Sequence, residues 1–145
     1  VQPVILQEVQ SLIRSVQRKM TLYFSLMLQQ HGLTISQFAL LVQLGQESPQ
    51  KMSSLARRLY VSMPAVTHLV DRLEAKQMVK RTTDPADRRV CLIRVTPKGT
   101  KVIRNTQDHV LQIFTGGLEG LRDQDHQAVL RFYQQFNQAL EAELQ

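Results

Sequence analysis

The strongest constraint on this chain lies between Ser62 and Pro97, where the apolar spacing changes period twice. Val66, Leu69, Val70 and Leu73 recur at three- and four-residue steps, the spacing of a helix with one buried face. After Lys76-Gln77 the pattern becomes strand-like over Met78 to Thr82. Asp84-Pro85-Ala86-Asp87 then reads as a turn, and Val90 to Val95 as a β-rich return strand. A helix thus runs directly into a hairpin carrying Arg88-Arg89 at its tip. Alternation puts Cys91, Ile93 and Val95 on one face of the return strand and Leu92 and Arg94 on the other, so Cys91 is expected to be a small core residue.

The flanking segments are helical. Ile5, Val9, Leu12, Ile13, Val16, Met20, Tyr23, Phe24 and Met27 trace one long amphipathic helix that ends before His31-Gly32. Thr34 offers an N-cap for a second helix through Phe38, Leu41, Val42 and Leu44, closing near Gly45 and Ser48-Pro49. Ser53 is expected to cap a short third helix, and Tyr60-Val61 to turn the chain. Ser62 then caps a fourth helix with Pro64 in its first turn, where a missing N–H costs nothing. Thr96-Pro97 opens a fifth helix that Gly116, Gly117 and Gly120 are expected to break, and Asp123 is expected to cap a last one carrying Val129, Phe132, Tyr133, Phe136 and Leu140.

Two short helices at a tight turn followed by a basic hairpin predict a mainly α fold with a small β-hairpin wing. This is a winged helix-turn-helix lobe over residues 33–100 within a single unit, 1–145. The end helices, 1–31 and 101–145, carry more apolar surface than one thin lobe can bury, which predicts dimerisation helices and an isologous homodimer.

Charge concentrates in the lobe. Residues 51–104 hold 13 basic and 4 acidic side chains, whereas residues 105–145 hold 2 and 6. A basic centre beside an acidic end is the footprint of a polyanion-binding segment. The expected partner is double-stranded DNA, because a helix fits its major groove. On the fourth helix Pro64, Thr67, His68 and Asp71, with Arg72 at the edge, oppose the buried stripe. Ser62 and the helix N-terminus suit a phosphate, and the wing tip suits the minor groove.

These stretches resemble the multiple-antibiotic-resistance regulator (MarR) family of bacterial transcription factors. Gly32 to Phe38, Ser62 through Lys80, and Asp87-Arg88-Arg89 followed by Val95-Thr96-Pro97-Lys98-Gly99 carry the likeness, the last resembling the family's wing signature. The resemblance implies a dimeric repressor on a pseudo-palindromic operator. Ser53, Ser62, Pro64, Thr67, His68, Arg72, Asp87, Arg88 and Arg89 would face DNA, with Arg88 in the minor groove and Asp87 as its orienting partner. It also implies that Asp71 pairs with a neighbouring arginine. The family often has arginine where His68 stands and usually glycine where Gln77 stands. It further implies release by a small aromatic or phenolic effector near Tyr23, Met27, His31 and Phe38, although aromatic and Met residues at helical spacing also suit a plain core.

Other classes find little support. Four scattered histidines and one cysteine predict no metal site, no cofactor is implied, and no nucleophile or phosphate-loop motif points to an enzyme. No apolar run approaches a membrane span, and no signal pattern opens the chain, so the expected address is cytoplasmic. The rival reading is a winged-helix protein-interaction module without sequence-specific DNA binding.

Overall fold

In the computed structural model, which describes residues 2–144, local capping chemistry sets several of the element boundaries. Helix α1 (Pro3–Gln30) closes where Gly32 takes φ +62° and the Leu33 amide returns to the Leu28 carbonyl at 2.9 Å. This is the left-handed closure that glycine favours. Thr34 and Gln37 then cap α2 (Ile35–Gln46) reciprocally, each side chain bonding the other's backbone amide. The Gln37 half of this box adds to the Thr34 cap that the sequence predicts.

Helices α3 (Met52–Arg58) and α4 (Met63–Ala75) follow, then strands β2 (Val79–Thr83) and β3 (Cys91–Val95). A two-residue strand, β1 (Gln50–Lys51), lies outside the expected elements. It joins the hairpin in the order β1-β3-β2, all antiparallel, with Gln50 opposite Ile93 and Val79 opposite Val95. Leu40, Leu41, Leu44, Leu55, Val66, Val70, Leu73 and Ile93 are fully buried between the helices and the sheet. Among the described residues the fold is the expected one: six helices and a small winged sheet.

Helix α5 (Pro97–Leu118) starts on Thr96, whose Oγ1 accepts from the Gly99 amide at 3.2 Å and donates to the Gln77 carbonyl at 2.7 Å. Gly99 is buried. A Cβ there would fall on the Met78 carbonyl oxygen and lie 2.8 Å from Val95 Cγ2, so the glycine is a contact between helix and hairpin. Gly116 and Gly117 do not break α5, which continues to Leu118 because its backbone ladder tolerates glycine at a modest cost.

By its contacts the chain forms two units, one up to Thr106 and one from Gln107. In the second, α6 (Asp123–Glu143) has Arg122, not Asp123, at its cap position, and Asp123 opens the first turn. Phe114 and Tyr133 meet edge to face at 5.4 Å, Phe132 and Phe136 stack at 5.8 Å, and His126 Nε2 lies 3.0 Å from the Leu118 carbonyl. No described residue of α6 is buried.

Candidate nucleic-acid interface

The two faces of α4 divide as the spacing predicts. Val66, Val70 and Leu73 are fully buried, while Pro64, Thr67, His68, Asp71 and Arg72 are exposed. Ser62 caps the helix by accepting from the Ala65 amide at 3.3 Å. Thr67 donates its hydroxyl proton to the Met63 carbonyl at 2.9 Å, leaving only acceptor lone pairs to face outward. Ser53 does not cap α3. Lys51 takes the cap position with an extended backbone because β1 pulls it into the sheet, and Ser53 sits exposed inside the first turn.

Asp71 is not a bare anion on this surface. Arg81 of β2 reaches back to it and to Glu74, one helical turn on, and the Arg81 amide donates to Glu74 Oε1 at 3.1 Å. The hydrogen bond that Arg81 donates to Asp71, reinforced by the charge of Glu74, raises the Arg81 pKa above its ordinary value. The clamp thus supplies the arginine partner expected for Asp71 and ties α4 to the hairpin. Gln77, between them, has φ +60°, the left-handed backbone that glycine would adopt without strain.

At the wing tip the expected pairing of Asp87 with Arg88 is replaced by Asp87 with Arg89. Asp87 Oδ1 accepts from the Arg89 amide at 3.0 Å and from Arg89 Nε at 3.1 Å, and Oδ2 from Nη2 at 3.3 Å. These bonds hold the Asp87 carboxyl below its usual pKa. The turn places residue 89, two positions on, over the aspartate, a preference the sequence order does not reveal. Arg88 is exposed and, among the described residues, in no ion pair.

Cys91 is exposed rather than core, a correction to the alternation reading. It pairs with Thr83 at the far end of the ribbon, beyond the reach of the helices that cover Ile93. The structure adds two cations that the sequence reading did not single out together, Lys80 and Arg94, which are exposed cross-strand partners. Their alternation with Val79 and Ile93 was the available signal.

Tyr23, Met27 and His31 are half-buried at four-residue steps along the end of α1, and Phe38 is half-buried against the core. A groove of about 610 Å³ lies elsewhere on the lobe, lined by Val95, Thr96, Thr100, Lys101 and Arg104 among others, and includes none of these four. Among the described residues no three His, Cys, Asp or Glu side chains are grouped to hold a metal, and no helix is long and apolar enough to cross a membrane.

Residues 33–91 match the sequence model of the MarR family, spanning α2 to the start of β3. Over that stretch the chain is similar to the MarR family. Over 96 residues it is 32% identical to the uncharacterized HTH-type transcriptional regulator YsmB of Bacillus subtilis (strain 168), covering 66% of this chain and 61% of that protein. The matched stretches span only about 58–61% of the length of the first such HTH-type relatives. Among solved structures, the YusO protein from Bacillus subtilis superposes with a TM-score of 0.84 at 24% identity, over 96% of this chain and 99% of that one. The S. aureus MepR-DNA complex gives 0.76 at 21% identity, over 90% and 98%. The similarity of fold therefore extends beyond the segment that the family model recognises.

Proposed function

We propose that this chain is a MarR-type, sequence-specific DNA-binding transcriptional repressor, acting in the cytoplasm as a homodimer on a pseudo-palindromic operator. One observation carries the reading: an exposed α4 face with no core role lies in the same lobe as an unpaired arginine at the wing tip. In this reading Pro64, Thr67, His68 and Arg72 meet the major groove, Ser62 and Ser53 meet phosphate, and Arg88 enters the minor groove. Asp87 holds Arg89, which stays near the backbone. That a MarR-fold protein, MepR, is known in complex with DNA supports the same docking.

The dimer rests on exposed apolar side chains. Leu12, Val16, Phe132, Tyr133 and Phe136 are each about half exposed in the single chain. Fully burying an exposed side chain of this kind stabilises by about 1.5–3 kcal/mol, so covering the exposed half contributes about half of that for each, and a second copy is the natural cover. The reading lobe is residues 33–100, and 1–31 with 101–145 form the dimerisation region. Tyr23, Met27, His31 and Phe38 are assigned to a site for a small aromatic or phenolic effector that releases the DNA.

The test is selection from a random duplex library with purified protein and with Arg88→Ala. Enrichment of a two-fold symmetric site that the variant binds weakly supports the reading. Weak, sequence-blind binding by both proteins refutes it in favour of a protein-interaction module.

A further inference from the structure

The turn between α3 and α4 holds a residue that the fold does not explain. Tyr60 has φ +54° and is 96% exposed. Its backbone is fixed by the closure of α3, with the Tyr60 amide on the Arg57 carbonyl at 3.2 Å and the Val61 amide on the Ala56 carbonyl at 3.0 Å. Glycine would sit there without strain, and a tyrosine does not. Among the described residues its ring stacks on no other ring and its hydroxyl makes no hydrogen bond. A strained backbone carrying an unsupported aromatic side chain is the kind of outlier that points to contact with something else.

The surroundings say what that partner is. From Lys51 to Val70 the chain contains no acidic residue, and Arg57 and Arg58 immediately precede the turn. Arg58 is paired with Glu47 at 2.6 Å, while Arg57 is exposed and in no ion pair among the described residues. Ser62, the cap of α4, lies two residues on. We propose that Tyr60 is a DNA-backbone contact: its hydroxyl donates to a phosphate oxygen and its ring lies against the adjoining deoxyribose. This deepens the DNA-binding reading and rests on it. Backbone contacts of this kind fix register on the duplex without reading sequence.

The experiment titrates the selected duplex at several salt concentrations with wild type, Tyr60→Gly, Tyr60→Phe and Arg88→Ala, with a thermal melt of each. Tyr60→Gly is expected to melt about 2–5 °C higher, because strain is relieved. It should nonetheless bind about tenfold weaker, since a hydrogen bond to a charged group is lost. Its salt slope should match wild type, because a neutral group releases no counterion, whereas Arg88→Ala should lower the slope by about one. Tyr60→Phe should show part of the affinity loss and none of the melting gain. Wild-type affinity in Tyr60→Gly overturns the proposal and leaves the DNA reading standing, as does a joint fall in melting temperature and affinity, which would make Tyr60 a structural residue. If wild type selects no duplex, both readings fall.

Discussion

Gly99→Ala should destabilise the lobe although it adds only one methyl group to a helix. On propensity alone the change favours the folded state by about 0.5–1 kcal/mol. The packing opposes it. The new Cβ would overlap the Met78 carbonyl oxygen and lie 2.8 Å from Val95 Cγ2 and 3.2 Å from the Met78 carbonyl carbon. Val95 can rotate, but the carbonyl belongs to backbone whose oxygen also accepts from the Thr96 amide at 3.0 Å. Relief therefore requires α5 to move away from the hairpin, straining the Thr96 bonds to Gln77 and Gly99. Overpacking of this kind costs about 1–3 kcal/mol and reaches its upper end where the obstacle is main chain, which leaves a net loss of about 2 kcal/mol. At about 2–8 °C per kcal/mol for domains of this size range, the melting temperature should fall by roughly 5–15 °C. Thermal unfolding followed by circular dichroism reads this directly. A variant melting within 2 °C of wild type, or above it, would refute the claim that the glycine is a packing requirement.

Gln77→Gly should raise the melting temperature by a few degrees, since the left-handed turn loses about 1 kcal/mol of strain and the carbonyl held by Thr96 is unaffected; a fall would show that the Gln77 side chain itself matters. Thr34→Ala should cost about 1 kcal/mol by opening the reciprocal cap with Gln37, measured by urea unfolding. Arg81→Ala should weaken DNA binding more than it weakens the fold, because it leaves Asp71 and Glu74 unneutralised, and Asp71→Asn in the same chain should recover part of the affinity. The Asp87 carboxyl is held below its ordinary value of 3.8 by the side-chain and then the backbone bond from Arg89. Its contribution to wing-tip order is therefore complete above that pH and lost as pH falls through the lower folded value, which the Arg89 Nε–H resonance in an acid titration would follow.

What the sequence made legible was whatever depends on neighbours a turn or less away. The cap at Thr34, the glycine closure at Gly32, the exposed and buried faces of α4 and the presence of a turn between two strands all follow from spacing of that kind. The errors share a different cause. Strand β1 exists only because Gln50 and Lys51 find β3 some forty residues later, and that pairing displaces the cap of α3 from Ser53 to Lys51. Alternation placed Cys91 on the core face, but the helices that cover Ile93 do not extend that far along the ribbon. Gly116 and Gly117 look like breakers in the sequence, yet glycine inside an established helix costs only about 1 kcal/mol each, and α5 runs through both. At the tip, the turn geometry decided which arginine Asp87 would hold.

The clamp from Arg81 to Asp71 and Glu74 spans the joint between the fourth helix and the hairpin, and the buried glycine of α5 closes the same joint from the other side. Helix and hairpin therefore turn as one rigid part. The angle between whatever α4 touches and whatever the wing touches is set before any partner arrives, so a partner must supply both surfaces at that fixed offset. Lengthening the loop at residues 84–89 would extend the wing's reach while leaving that angle unchanged.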